Sequence, residues 1–228
     1  MKERGVIFNG EMVRAILHGR KTQTRRPIKW KQTRFTEIGE REDGSNWPLS
    51  EDAEHACDFW HPCPFGAVGD RIWVRETWAT LGNEDGCCVD WEGKLCKGDE
   101  RSAARIYRAS CEQRPGDYGL WSIPDDAYWK PHTKEHKFEG AWRPSIHMPR
   151  WASRILLEIT NVRVERLQSI TLGDICKEVG CGLYDFRPAT YGFQVWEELW
   201  KSIYGAENWQ ANPWVWVISF ERVEGGAA

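Results

Sequence analysis

Between Gly19 and Pro27 the chain reads Gly-Arg-Lys-Thr-Gln-Thr-Arg-Arg-Pro, which sets a lysine, two threonine hydroxyls and three arginines side by side. Two chemistries suit these residue types. A neutral lysine amine can take the proton of a hydroxyl, so this run holds the residue types of a base and a nucleophile. Arginine forks hold phosphate or carboxylate through paired hydrogen bonds, and Arg20, Arg25 and Arg26 each offer one. The arginines bear on the first chemistry too. A lysine is a base near neutral pH only where burial or neighbouring cations depress its pKa. Against both stands a simpler account: a basic run behind a helix is most often a solvated face, and a threonine there can be no more than a β-former.

A short amphipathic helix must hold this cluster. Asn9 suits the N-cap, Glu11 the first turn, and Met12, Val13, Ile16 and Leu17 share one face up to His18. Gly19 then stops the helix, as glycine does at C′. The negative end of that helix favours a charged Lys21, in opposition to the arginines. In a regular strand Lys21 and Thr24 would point to opposite faces, so their cooperation requires residues 21 to 24 to turn.

Further along, Gly66 to Trp78 reads as a glycine turn and a strand, with Ile72 and Val74 on one face and Trp73 and Arg75 on the other. Asp70 suits a turn there and Glu76 an ion pair at the strand end. From Arg150 to Leu167 the alternation is strong, and its parity shifts between Ile159 and Val162, which implies a bulge near Asn161. Thr171 caps a helix with Asp174 at its third position and Gly180 beyond its end. A second helix presents Phe193, Trp196, Leu199, Trp200 and Ile203, and the run Pro213 to Phe220 is apolar on both faces, as a central or barrel-closing strand would be. Residues 28–62 and 80–143 have no sustained period and read as loop-rich insertions with short elements. Scattered strands and short helices give an α+β fold with a small, mixed, barrel-like sheet, in one domain spanning 1–228.

Composition limits the function. A formal charge of −3 on 228 residues argues against a protein that coats nucleic acid non-specifically, though a local basic site is compatible with it. The start, MKERGVIFNGEM, lacks a signal-peptide core and no apolar run reaches membrane-span length, so a cytoplasmic protein without a membrane partner is expected. Eight cysteines then read as reduced thiols. His55, Cys57, His61 and Cys63 form the densest metal-ligand cluster, with Cys87, Cys88, Cys96, Cys111, His132 and His136 as further candidates, but none has paired Cys-x-x-Cys spacing, so no metal is expected. Most of the 15 tryptophans must pack inside, since a surface showing them all would aggregate.

The order of these parts resembles the ASCH domains, relatives of the PUA RNA-binding fold. Gly19-x-Lys21-x-x-Thr24-x-Arg26 matches their signature in full behind the first helix, and GDRIWVRETW, PSIHMPRWASRI and NPWVWVISF resemble the long ASCH-domain proteins of phages and prophages. The resemblance covers roughly residues 5–27, 64–78 and 144–222. It implies a PUA-like small mixed β-barrel with flanking short helices, the two insertions lying outside it. It also implies a reaction, because small bacterial ASCH proteins include acetylcytidine amidohydrolases, which remove the acetyl group from the exocyclic nitrogen of the base. Their catalytic lysine and threonine fall on Lys21 and Thr24, and their glutamate on Glu178, with Asp174 and Glu165 as nearby alternatives.

Thr24 would then be the nucleophile, Lys21 the base, and Glu178 an acid or relay near a helix C-terminus. Arg26 and Arg25 would hold the substrate, and Trp73, Trp78 or a tryptophan from the insertions would stack on the base, a contact of about 1–3 kcal/mol. No cofactor is needed. The expected partner is a nucleoside, a modified nucleobase or RNA. A non-catalytic module reading RNA or a modified nucleotide is the alternative. A ribonuclease is the third option, with His18 and His147 the histidines nearest barrel-like segments.

Overall fold

The computed structural model describes residues 1–29, 36–52, 57–82, 87–111, 142–182 and 185–223. The chain divides into two compact units, one built from Met1–Arg4, His18–Ile72 and Leu157–Val223, the other from Gly5–Leu17 and Trp73–Leu156. The fold is α+β. Strands β1 (Glu3–Ile7), β2 (Gln23–Pro27), β6 (Arg71–Arg75), β9 (Leu156–Arg166) and β10 (Trp214–Arg222) make a five-stranded sheet of order β1-β6-β9-β10-β2. Among the described residues this sheet is open, with β1 and β2 as its edges, rather than closed into a barrel. No helix among the described residues is long and apolar enough to cross a membrane.

In the first unit β10 runs antiparallel between β2 and β9, which explains its apolar residues on both faces: Val215, Trp216, Val217, Ile218 and Phe220 are all buried. Directly opposed residues of an antiparallel pair share a face. Arg25, Val217 and Arg163 are in register on one face, whereas Thr24 with Ile218, and Arg26 with Trp216, occupy the other. The expected bulge is present one residue early. Ser219 faces Asn161 and Phe220 faces Ile159, so Thr160 is the extra residue.

Two helices cover the face that holds Val215 and Val217. Helix α3 (Leu172–Val179) starts at Thr171, whose hydroxyl accepts from the Asp174 N–H at 3.2 Å, and ends at Gly180 in the left-handed region. Helix α4 (Ala189–Tyr204) packs Trp196 and Trp200 against Ile175, Cys176, Val215 and Val217. Its buried stripe differs from the one expected: Phe193 and Ile203 are 44% and 45% exposed, and Gly192 is buried instead. A Cβ on Gly192 would stand 2.5 Å from Leu172, so the helix makes its close approach through the glycine and turns Phe193 outward. Helix α5 (Ala206–Gln210) follows, and Asn208 accepts from the Trp200 indole at 2.8 Å.

The region expected to be loop-rich at 28–62 contains a three-stranded antiparallel sheet, β3 (Thr36–Glu40), β4 (Asn46–Asp52) and β5 (Cys57–Trp60). Pro48 in its middle strand conceals it, because proline cannot donate to a ladder; the Pro48 carbonyl instead accepts from the His61 N–H at 2.8 Å.

The second unit contains helix α1 (Gly10–Leu17), capped by Asn9 through its side chain to the Met12 N–H at 2.8 Å. It also contains β7 (Trp78–Thr80), which ends at the start of the other expected insertion, its partner β8 (Arg105–Tyr107) and helix α2 (Arg108–Cys111), both inside that insertion. Residues 150–152, expected in a strand, form a 3-10 turn after Pro149. Strand β6 alternates as expected, Ile72 and Val74 inward.

Candidate active site

The segment that carries the signature docks on the C-terminal end of α3. Carbonyls of a helix's last turn have no partner within the helix. Here the Thr22 N–H donates to Lys177 O at 3.2 Å, Lys21 Nζ to Glu178 O at 2.5 Å, and an Arg20 Nη to Gly180 O. The helix dipole favours cations at that end. Lys21 therefore sits at the negative end of α3, in addition to following α1.

From this anchor Lys21 and Glu178 meet side chain to side chain, Nζ to Oε2 at 3.1 Å, with exposures of 0% and 3%. Nζ also donates to Gln23 O at 2.7 Å, so three acceptors take up the three protons of an ammonium group. Burial pushes the Lys21 pKa below the ordinary lysine range; Glu178 opposes this, and Arg26 and Arg25 add to it.

Arg25, wholly enclosed, sits on three carboxylates: Glu178 Oε1 at 3.2 Å, Glu165 Oε2 at 3.1 Å and Asp174 Oδ2 at 3.3 Å. Arg163 bonds Glu165 at 2.5 Å and Asp174 at 3.0 Å. In the orientation that satisfies its amide, Gln23 donates to Asp174 Oδ1 at 3.1 Å and accepts from Arg163. Burial alone would raise the Asp174 pKa, but Arg25 and Arg163 more than reverse that and hold it below the usual aspartate value. Lys21, Arg25 and Arg163 thus balance Glu165, Asp174 and Glu178 in a shared network.

Thr24 and Arg26 stand apart from this network. Strand β2 is regular from Gln23 onward, and its alternation turns Gln23 and Arg25 toward α3 and Thr24 and Arg26 to the opposite face. Thr24 is buried, and its hydroxyl makes no hydrogen bond to another described residue, Lys21 included. Arg26 is half-buried, in register with Trp216.

Trp73 and Trp78 belong to the second unit. Trp73 is half-buried on β6, where a Cβ on Gly5 would lie 2.5 Å from its ring. Trp78 is fully enclosed with Tyr107, Met148 and Ala152, edge-on to Trp151 at 5.5 Å, which makes it a core residue and not an exposed stacking platform. Glu76 pairs with Arg154 at 2.9 and 3.0 Å, and Asp70 caps a turn through the Lys2 N–H at 2.7 Å and the Ala67 N–H at 3.2 Å.

Of the metal candidates, His55, His132 and His136 lie outside the described residues. Among the described residues no group of three or more metal-ligating side chains occurs. His61 bonds Ser50 at 2.5 Å. The Cys63 thiol is pushed up to about 11, chiefly by burial. Burial, with a hydrogen bond from the Cys181 thiol to Cys176, pushes the Cys181 thiol up to about 12. Neither offers a thiolate nucleophile. His18 and His147 are both exposed.

Sequence reasoning did not find Arg163, which only the pairing of β9 with β10 sets opposite Val217. Nor did it find the tryptophan and arginine pairs of β3 to β5, hidden with the sheet that carries them. Comparison of the chain with protein-family models, with curated proteins and with solved structures finds no match.

Proposed function

We propose that this protein is an amidohydrolase acting on an acylated nucleobase or nucleoside, of the kind the ASCH resemblance implies. The observation that carries the reading is the buried Lys21–Glu178 pair at 3.1 Å, joining the lysine of the N-terminal signature to a glutamate in α3. A depressed pKa is what a lysine base requires, and burial gives Lys21 that direction.

In the reaction Thr24 Oγ bonds to the amide carbon as its proton passes to a neutral Lys21 amine. The tetrahedral intermediate then collapses, the C–N bond breaks, and the exocyclic amine leaves with the proton from Lys21. Water hydrolyses the acyl-threonine ester to a carboxylic acid and free threonine. Glu178 orients Lys21 and stabilises its charged form. In the resting arrangement Lys21 is engaged by three acceptors, so the cycle requires one of those bonds to open and the amine to reach the Thr24 hydroxyl.

Incubating the protein with acetylcytidine and following release of cytidine tests the reading. Turnover that disappears in Thr24→Val and Lys21→Met, with both variants folded, supports it; no turnover of any acylated nucleoside by the wild-type protein overturns it.

The alternative, a non-catalytic module that reads RNA or a modified nucleotide, is favoured by one observation: the Thr24 hydroxyl and the Lys21 amine are not bonded to each other. It expects nucleic-acid binding that survives Thr24→Val and weakens in Arg26→Ala.

A further inference from the structure

The face of the first unit's sheet that carries Thr24 and Arg26 also carries Trp216, the cross-strand neighbour of Arg26. Trp47 meets Trp216 edge-on, ring centroids 5.0 Å apart at 74°. Above Trp47 lies the Arg41 guanidinium, 3.9 Å from the ring centroid and 5.4 Å from that of Trp60. Arg26, Trp216, Trp47, Arg41 and Trp60 therefore form a row of cations and indoles from the signature onto the β3–β4–β5 sheet, in which Trp216 is buried beneath Trp47 and the other four reach solvent.

The row is held by its scaffold. Register sets Gly39 opposite Trp47 and Leu49 opposite Trp60, so Trp47 and Trp60 share a face. A Cβ on Gly39 would stand 3.0 Å from the Trp60 ring, so the glycine lets that indole lie across β3. The Trp47 indole N–H is fixed by the His61 carbonyl at 2.7 Å. A turn fixes the Arg41 main chain, its N–H donating to Ser45 O and its carbonyl accepting from the Gly44 N–H, both at 2.9 Å. The side chains of Arg41, Trp47 and Trp60 remain half-exposed.

We propose that this row is a track for a single-stranded nucleic acid, in which Trp60 stacks on a base and Arg41 and Arg26 contact phosphates, so that the strand passes the sheet edge beside the buried Thr24. Indoles offer a stacking face to every base, and arginines interleaved with them offer the charge a backbone demands. With a net charge of −3 the protein has no general attraction for polyanions, so recognition depends on such a local row. The inference rests on the proposed function for what happens at Thr24, and on the row alone for binding of the strand.

Fluorescence anisotropy with a short labelled oligouridylate, the matching oligothymidylate and a duplex of the same length tests it. Both single strands are expected to bind more tightly than the duplex. Trp60→Ala should weaken that binding about 5- to 150-fold, the range for one stacked base. Arg41→Gln should lower the slope of log affinity against log salt by about 0.7, the contribution of one phosphate on a single strand, which a packing role would not do. Phe193→Ala on the exposed side of α4 should bind as wild type. If Trp60→Ala fails to fold, the salt slope of Arg41→Gln decides. The track is overturned if neither single strand binds at low salt, if the duplex binds as well, or if Arg41→Gln keeps the wild-type slope. Assaying free acetylcytidine alongside separates the two readings: strand binding without turnover overturns the hydrolase alone, and turnover without strand binding overturns the track alone.

Discussion

Lys21 Nζ stands 3.1 Å from Glu178 Oε2 although 157 residues separate them in the chain. The contact accompanies the docking of the signature segment on the end of α3, where the Thr22 N–H, Lys21 Nζ and an Arg20 Nη donate to the carbonyls of Lys177, Glu178 and Gly180. One buried carboxylate is thereby shared by two buried cations, Lys21 and Arg25.

Removing that carboxylate leaves both cations without it in a dry site. Glu178→Ala should cost about 3–5 kcal/mol, the range for breaking a buried pair from one side. A double change, Lys21→Met with Glu178→Leu, should recover part of that loss, because it removes the charge along with its partner. Urea unfolding of the variants gives the comparison. Equal stability of Glu178→Ala and wild type would sink the view that the pair is structurally coupled.

The depressed Lys21 pKa has a definite consequence for pH. Between its folded value and the higher value of the unfolded chain, the unfolded state binds more protons, so stability rises with pH in that window. Below the folded value the cost of the buried charge is present in full. Relative to Lys21→Met, the wild-type protein should therefore gain stability from neutral pH toward the ordinary lysine range. A difference that stays flat across that range contradicts it. If Lys21 is the base, acetylcytidine turnover should rise with pH through the same depressed value.

Asp174 works in the opposite sense. Its pKa is lowered, since Arg25 and Arg163 outweigh burial, so its contribution is present above the ordinary aspartate value and is lost as pH falls through the folded one. Asp174→Asn should be less stable than wild type at neutral pH and should converge with it in acid. Thermal melts over that range report it.

Thr24→Val should leave the protein at least as stable as wild type, because it replaces a buried hydroxyl that has no described partner by a methyl group of similar shape. Under the proposed reaction the same change removes the nucleophile and all turnover, and Thr24→Ser keeps some. Circular dichroism with the acetylcytidine assay separates a lost nucleophile from a lost fold.

Trp78→Ala should cost about 3–5 kcal/mol as a core deletion, so any effect it has on ligand binding would track unfolding. Denaturant titration beside a binding assay checks this.

Local signals were legible where one residue type has one structural use. Asn9 and Thr171 as caps, Gly180 as a left-handed terminus, the parity shift near Asn161 and the doubly apolar last strand are all of this kind. The β3–β4–β5 sheet was not legible, because Pro48 and Gly39 remove the donor and the side chain by which a strand pattern is read. The α4 stripe was right at Trp196, Leu199 and Trp200 and wrong at Phe193 and Ile203, and at the first of these Gly192 has no side chain to mark the buried face.

The residues alone determined which groups are present for chemistry, a lysine, a threonine and arginines behind a helix, because type and spacing are properties of the chain. Only the tertiary structure decided how they divide. The alternation of β2 sends Gln23 and Arg25 to the carboxylates of α3 and β9, and Thr24 and Arg26 to a face shared with Trp216 and Trp47. Such a division depends on where the regular strand begins and on what packs against each face. Both follow from contacts between segments far apart in the chain, which local spacing cannot encode.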